Sequence, residues 1–189
     1  MNPDERQRWN DRYAGGSHAD DQPAAPLVSE IISYLPKSGA ALDVAGGSGR
    51  NALWLAQRGL DVTLVDISDE GLMLAQRRAA NAGSQLTTIQ ADLERESPPP
   101  GPWQLILCCQ YLQRSLFSDL GRQLAGDGSL VVIHPTTTNL KRHPRPSRRF
   151  LLEPAELPDL IPAELEVVHY REGWGEDDRH EAVLVARPT

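Results

Sequence analysis

The chain has 189 residues, 40% of them hydrophobic, and a formal charge of −7. That size fits one domain with a substantial core, and the acidic balance argues against a nucleic-acid binder, which is normally basic. No apolar run reaches the ~20 residues that span a bilayer, and the polar opening with Asp4 and Glu5 is unlike a signal peptide, so a cytoplasmic protein with no membrane partner is expected.

In chain order, residues 3–13 are polar, with Trp9 and Tyr13 four apart, and read as a short helix with one aromatic face. Residues 14–26 are rich in Gly, Asp and Pro and read as a loop. Residues 27–35 have apolar positions at helical spacing, stopped by Pro36. A first strand is expected over 40–44, a helix over 50–58 ended by Gly59, and a second strand over 61–65. Ser68, three residues before Gly71, is placed to cap a helix that runs to about Gly83. A third strand follows over 86–91. The proline run 98–102 is read as a stiff surface connection that can be neither helix nor central strand.

The continuous apolar run 103–109 suits a strand covered on both faces. A helix over 116–124 and a turn at Gly126-Asp127-Gly128 lead to a fifth strand over 129–134. Residues 136–149 are irregular and basic, residues 154–160 a short helix, and 166–170 with 182–186 two final strands around a polar loop. Alternating strands and helices imply one doubly wound, mostly parallel α/β sheet with antiparallel pairing at one edge. Cys108 and Cys109 are neighbours on a strand, a spacing unsuited to a disulfide, and no histidine accompanies them as in a zinc site.

The chemistry concentrates in residues 40–66. An apolar strand carrying Asp43 runs into Ala45-Gly46-Gly47-Ser48-Gly49 and then into a helix. Glycines let backbone N–H groups approach a ligand, and the helix aims its positive end at the same place. Nineteen residues past Gly47, Asp66 closes the second strand, where a carboxylate can accept from both hydroxyls of a ribose. Asp92, after the third strand, is placed to accept from an adenine amino group or to cap the next turn. An adenosine-containing cofactor is the expected ligand. Residues 47–52 also satisfy G-x-G-x-x-G/A, the dinucleotide fingerprint, but Asp43 would sit badly beside a pyrophosphate.

Asp43, the glycine turn, Asp66 and Asp92 in this order resemble the class I S-adenosylmethionine-dependent methyltransferases. Trp9-Asn10-Asp11-Arg12-Tyr13, the block from Asp43 to Ala56, WQLILCCQYLQRSLF at 103–117 and FLLEPAEL at 150–157 resemble segments of the small tellurite-resistance and thiopurine type. The resemblance implies a seven-stranded fold, S-adenosylmethionine as cofactor, and a small acceptor. It also implies that Arg12 and Tyr13 close over the methionine carboxylate. The expected cofactor set is Arg12, Tyr13, Asp43, Ala45, Gly46, Gly47, Gly49, Asn51, Asp66, Ile67, Asp92, Leu93 and Cys109.

The chain departs from the pattern at Ala45, where glycine is usual, at Gln104 for Asp, at Gln113 for His, and at His134 for Glu. The acceptor half is therefore the altered half. Tyr111 begins a connection suited to the acceptor pocket. His134, at the end of the fifth strand, is a candidate to orient or deprotonate the acceptor, or else a hydrogen-bonded structural residue. Residues 1–36 are expected to form an N-terminal helical lid on a 37–189 domain, in a monomer or homodimer, with no metal. The basic stretch Lys141, Arg142, Arg145, Arg148 and Arg149 reads as a solvated loop or as a lid for an anionic or soft acceptor. A non-catalytic cofactor-binding protein and a nicotinamide-dependent oxidoreductase are the alternatives.

Overall fold

A computed structural model describes residues 3–15 and 22–189. The helices are α1 (Pro3–Ala14), α2 (Ala25–Ser29), α3 (Arg50–Gln57), α4 (Asp69–Asn81) and α5 (Leu116–Arg122). The strands are β1 (Gly39–Val44), β2 (Leu60–Asp66), β3 (Thr87–Gln90), β4 (Trp103–Cys109), β5 (Leu124–Pro135), β6 (Leu165–Trp174) and β7 (His180–Pro188). They form one seven-stranded sheet in the order β3-β2-β1-β4-β5-β7-β6. Neighbours from β3 to β5 are parallel, and β7 runs antiparallel between β5 and β6.

The strand order reverses between β1 and β4. In open α/β sheets the crevice outside the carboxyl ends of the strands at such a reversal is where ligands bind. Both faces of the sheet are covered, which explains the unbroken apolar runs. Leu105 and Leu107 of β4 join Leu27, Leu55 and Leu72 on the α2–α4 face. Ile106 and Cys108 join Phe117, Leu120, Leu152 and Leu157 on the α5 face.

Several local expectations are revised. The segment expected as one helix over 27–35 is α2 plus a 3-10 turn at Ile32–Tyr34. Pro26 starts α2 early because its fixed φ suits the first helical turn. The Glu30 and Ile31 amides then share the Pro26 carbonyl. Glu30 is left free to reach β6, where its carboxylate accepts from His169 Nε2 and Arg171 Nε, each at 2.7 Å.

The glycine turn expected before the fifth strand lies inside β5. Trp103 pairs with Leu124 and Leu105 with Ser129, so five steps on β5 oppose two on β4 and the surplus bulges out. Pro98 and Pro99 are buried rather than on the surface. The Pro99 carbonyl accepts from Trp103 Nε1 at 3.1 Å. The helix expected over 154–160 is only a 3-10 turn, Leu157–Leu160. Of the expected 14–26 loop, residues 16–21 lie outside the described residues, while Ala14 ends α1 and Ala25 and Pro26 begin α2.

Candidate functional site at the carboxyl edge of the sheet

Asp43 is 1% exposed and neither carboxylate oxygen has a hydrogen-bond partner among the described residues. Burial pushes its pKa up to about 7. The Ala52 amide opposes the shift without meeting hydrogen-bond geometry. Gly46 lies directly over it: a Cβ there would come within 2.6 Å of Asp43 Oδ2. The preceding Ala45 adopts φ +52°, in the left-handed region that disfavours side chains. Gln110, just past β4, has φ +60°. Strained non-glycine residues concentrate at functional sites, and both of these line the same cavity at the strand reversal.

Asp66 closes β2 as expected. Its Oδ2 accepts from the Gly47 amide and its Oδ1 from the Ser68 amide, both at 2.8 Å. Each oxygen keeps a second lone pair for a ligand. Burial raises the Asp66 pKa, against the pull of the Ser68 and Gly47 amides. Ser68 caps α4 by accepting from the Gly71 amide at 3.0 Å. Asp92 is also buried. Its Oδ1 accepts from the Glu94 amide at 3.2 Å, so it organises the following turn while facing the same space.

Helix α1 closes over this edge. Asp69 accepts from Arg6 Nε and Nη2 at 3.0 and 2.8 Å and from Asn10 Nδ2 at 2.6 Å. The Ser68 hydroxyl donates to Asn10 Oδ1 at 2.6 Å. Tyr13 stacks with Trp9 at 6.1 Å, and its hydroxyl lies 2.0 Å from where a Cβ on Gly47 would be. The glycine turn is thus roofed by a phenol ring, and burial raises the Tyr13 pKa.

These elements enclose a narrow cavity of about 100 Å³. Of the predicted residues, Tyr13, Ala45, Asp66, Ile67, Asp92, Leu93 and Tyr111 line it. Asp43 lies beneath the Gly46 backbone. Asn51 is buried and its Oδ1 accepts from the Ala24 amide at 2.9 Å, tying down the start of α2. Cys109 is buried on the same sheet face as Asp43, and burial pushes its pKa up to about 12. Arg12 is not on the wall; its guanidinium lies 5.2 Å from the Trp9 ring centre.

His134 is 3% exposed and is not on the cavity wall either. Its Nε2 lies 2.9 Å from the Phe150 carbonyl, which accepts only, so Nε2 carries the proton. Its Nδ1 is buried without a partner among the described residues, and burial depresses its pKa to about 4. The ring is therefore neutral and holds the 148–150 turn against β5. Gln110, expected beside Cys109 at the end of the fourth strand, lines the cavity, as do Glu5, Trp9 and Glu94, which were not singled out as site residues. Trp9 had a signal, its helical spacing to Tyr13. Glu5 and Glu94 had none.

Residues 41–128 match the family described as a methyltransferase domain. The Bacillus subtilis protein YqeM, assigned as a methyltransferase, is 32% identical over 83 residues. That alignment covers 43% of this chain and 33% of YqeM, so the chain matches about a third of that relative's length. Magnesium protoporphyrin IX methyltransferase (ChlM) from Synechocystis PCC 6803, solved with bound SAH, superposes with a TM-score of 0.76 at 17% identity, covering 100% of both chains. TehB from Haemophilus influenzae superposes with a TM-score of 0.72 at 18% identity, over 96% of this chain and 67% of that one. The chain has the class I methyltransferase fold, and the matched stretch contains Asp43, the glycine turn, Asp66 and Asp92.

Proposed function

We propose that this protein is an S-adenosylmethionine-dependent methyltransferase acting on a small acceptor, anionic or soft, with sulfur, oxygen or a metalloid as the nucleophile. The observation that carries the reading is the buried, unpartnered Asp43 carboxylate under the glycine turn. An isolated buried charge is costly, and a ligand ammonium would offset that cost. Pyrophosphate would not, which counts against a nicotinamide cofactor. The remaining donors fit the same ligand. Asp66 would hold the ribose hydroxyls, Asp92 the adenine amino group, and Ile67 and Leu93 the flanks of the base. Tyr13 and the turn from Ala45 to Gly49 would enclose the amino-acid end.

The cofactor supplies its own electrophile, a methyl group on a sulfonium. The chain's work is to position and to exclude water. Helix α1 would act as a lid, because a cavity of about 100 Å³ is small against the few hundred Å³ usual for such ligands. Tyr111 faces the acceptor side, and His134 acts through the turn it anchors. A cytoplasmic monomer or homodimer without nucleic-acid partners is consistent with two free buried thiols and the acidic charge. Among the described residues, no helix is long and apolar enough to cross a membrane.

Calorimetry with S-adenosylhomocysteine and with NADH tests the assignment. Binding of the first alone is expected. Binding of NADH, or of neither, would refute it.

A further inference from the structure

The loop after β4 and the turn after β5 enclose a second space, an open groove of about 570 Å³. Its walls include Glu5, Glu94, Leu112, Arg114, Arg149 and Phe150. Glu5 and Glu94 also line the cavity, so the two spaces adjoin. The basic residues near the groove differ in one respect. Arg142 pairs with Asp178 and lies over the Trp174 ring at 3.8 Å. Arg148 Nη2 meets Glu153 Oε2 at 2.7 Å. Arg114 is held by Glu156 through two hydrogen bonds, at 2.5 and 2.9 Å, and also donates to the Leu151 carbonyl. The Arg149 guanidinium lies 4.4 Å from the Phe150 ring centre and meets no carboxylate among the described residues.

We propose that this groove is the acceptor subsite and that it takes a small organic anion with a flat apolar body. The charged group meets Arg149, and the body lies on Phe150 and Leu112. Phe150 is 37% exposed, an apolar surface that carries the Arg149 guanidinium on its ring, and that cation meets no carboxylate among the described residues. Glu5 and Glu94 stand on the wall shared with the cavity and repel the anionic end from it. The molecule is thereby oriented with its charge at Arg149 and its uncharged, reacting end toward the cavity. The platform is rigid, because buried His134 donates to the Phe150 carbonyl and Leu151 is 1% exposed.

This inference rests on the methyltransferase reading, and the experiment separates the two. Wild type, Arg149→Gln and Arg148→Gln are compared, first for S-adenosylhomocysteine binding by calorimetry. Benzoate and neutral benzamide are then titrated into the S-adenosylhomocysteine-saturated protein by NMR. Benzoate is expected to shift Phe150 resonances. Benzamide and the Arg149→Gln variant should each weaken binding about tenfold, the scale of a lost hydrogen bond to a charged group. The Arg148→Gln variant should bind benzoate as wild type does, since Glu153 already neutralises that cation. Benzoate affinity should also fall with added salt. Absent binding, equal affinity for benzoate and benzamide, or equal losses in the two variants would overturn the subsite while leaving the cofactor assignment standing. If wild type bound no S-adenosylhomocysteine, the methyltransferase reading would fail instead, and the benzoate comparison, run on the free protein, would judge the groove.

Discussion

Three residues at the strand ends make separate statements about the site. Asp66→Ala removes a carboxylate whose oxygens each hold one backbone amide and still face the cavity. S-adenosylhomocysteine binding should weaken by about 1.5–3 kcal/mol, the usual worth of hydrogen bonds to a charged group. Calorimetry on the folded variant measures it, and unchanged affinity would reduce Asp66 to a clamp on the glycine turn. Ala45 is the converse case. At φ +52° its methyl group is a burden that glycine would remove, at the cost of more freedom in the unfolded chain. Ala45→Gly should therefore leave stability within about 1 kcal/mol of wild type and should not weaken cofactor binding. A marked loss of affinity would mean that the methyl group itself touches the ligand.

At the scale of elements, α1 is fastened to α4 chiefly by polar side chains, with the Tyr13 ring against Gly71. Arg6 and Asn10 hold Asp69, and Asn10 Oδ1 also accepts a hydrogen bond from the Ser68 hydroxyl. The Asp69 carboxyl is held down at about 2 by the Arg6 and Asn10 hydrogen bonds. Exposed pairs of this kind add little to global stability but decide which local conformations are populated. Changing Arg6 and Asn10 together to Ala should speed tryptic cleavage within α1, while the melting temperature stays nearly unchanged. S-adenosylhomocysteine should restore protection if α1 closes on the ligand. Cleavage indifferent to both the variant and the ligand would remove α1 from the role of lid.

The same contrast explains what the sequence could and could not reveal. Strand β4 was legible to the residue because both its faces are apolar, and the Ser68 cap because its spacing is local. The carboxylates Asp43, Asp66 and Asp92 were legible because an acid inside or just after an apolar strand demands a partner. Helix α2 and the β5 bulge were misjudged because Glu30 bonding to β6 and the extra residues between Leu124 and Ser129 are tertiary matters. The five basic residues near 141–149 looked alike in sequence. Only their placement beside Asp178 and Glu153 shows which are neutralised. The strand-end position of His134 left an acceptor-side role and a hydrogen-bonded structural role both open, and only the packed structure shows its Nε2 bonded to the Phe150 carbonyl.

The whole molecule carries the signature of these buried acids in its response to pH. Asp43 and Glu181 are both raised to about 7 by burial, and Asp66 is raised for the same reason. In the unfolded chain they titrate near the ordinary carboxylate range. Between roughly pH 4 and 7 the folded state therefore binds more protons, and stability must fall as pH rises. His134 acts oppositely. Its folded value is near 4, so its neutral form adds stability above about 6.5 that is lost as pH falls toward 4. Burial lowers His180 as well, so two histidines oppose these three carboxylates, and the charge of −7 adds repulsion at high pH. The ligand-free protein should accordingly melt at a higher temperature at pH 5 than at pH 8. A cofactor ammonium set against Asp43 would reverse its cost of ionisation. S-adenosylhomocysteine should then stabilise the protein more at pH 8 than at pH 5 and release a proton on binding between them. Asp43→Asn should flatten both dependences, since its amide does not titrate. Scanning calorimetry of both proteins, with and without ligand, decides it. If the ligand raised the melting temperature equally at both pH values, Asp43 would be a core acid with no part in holding the cofactor.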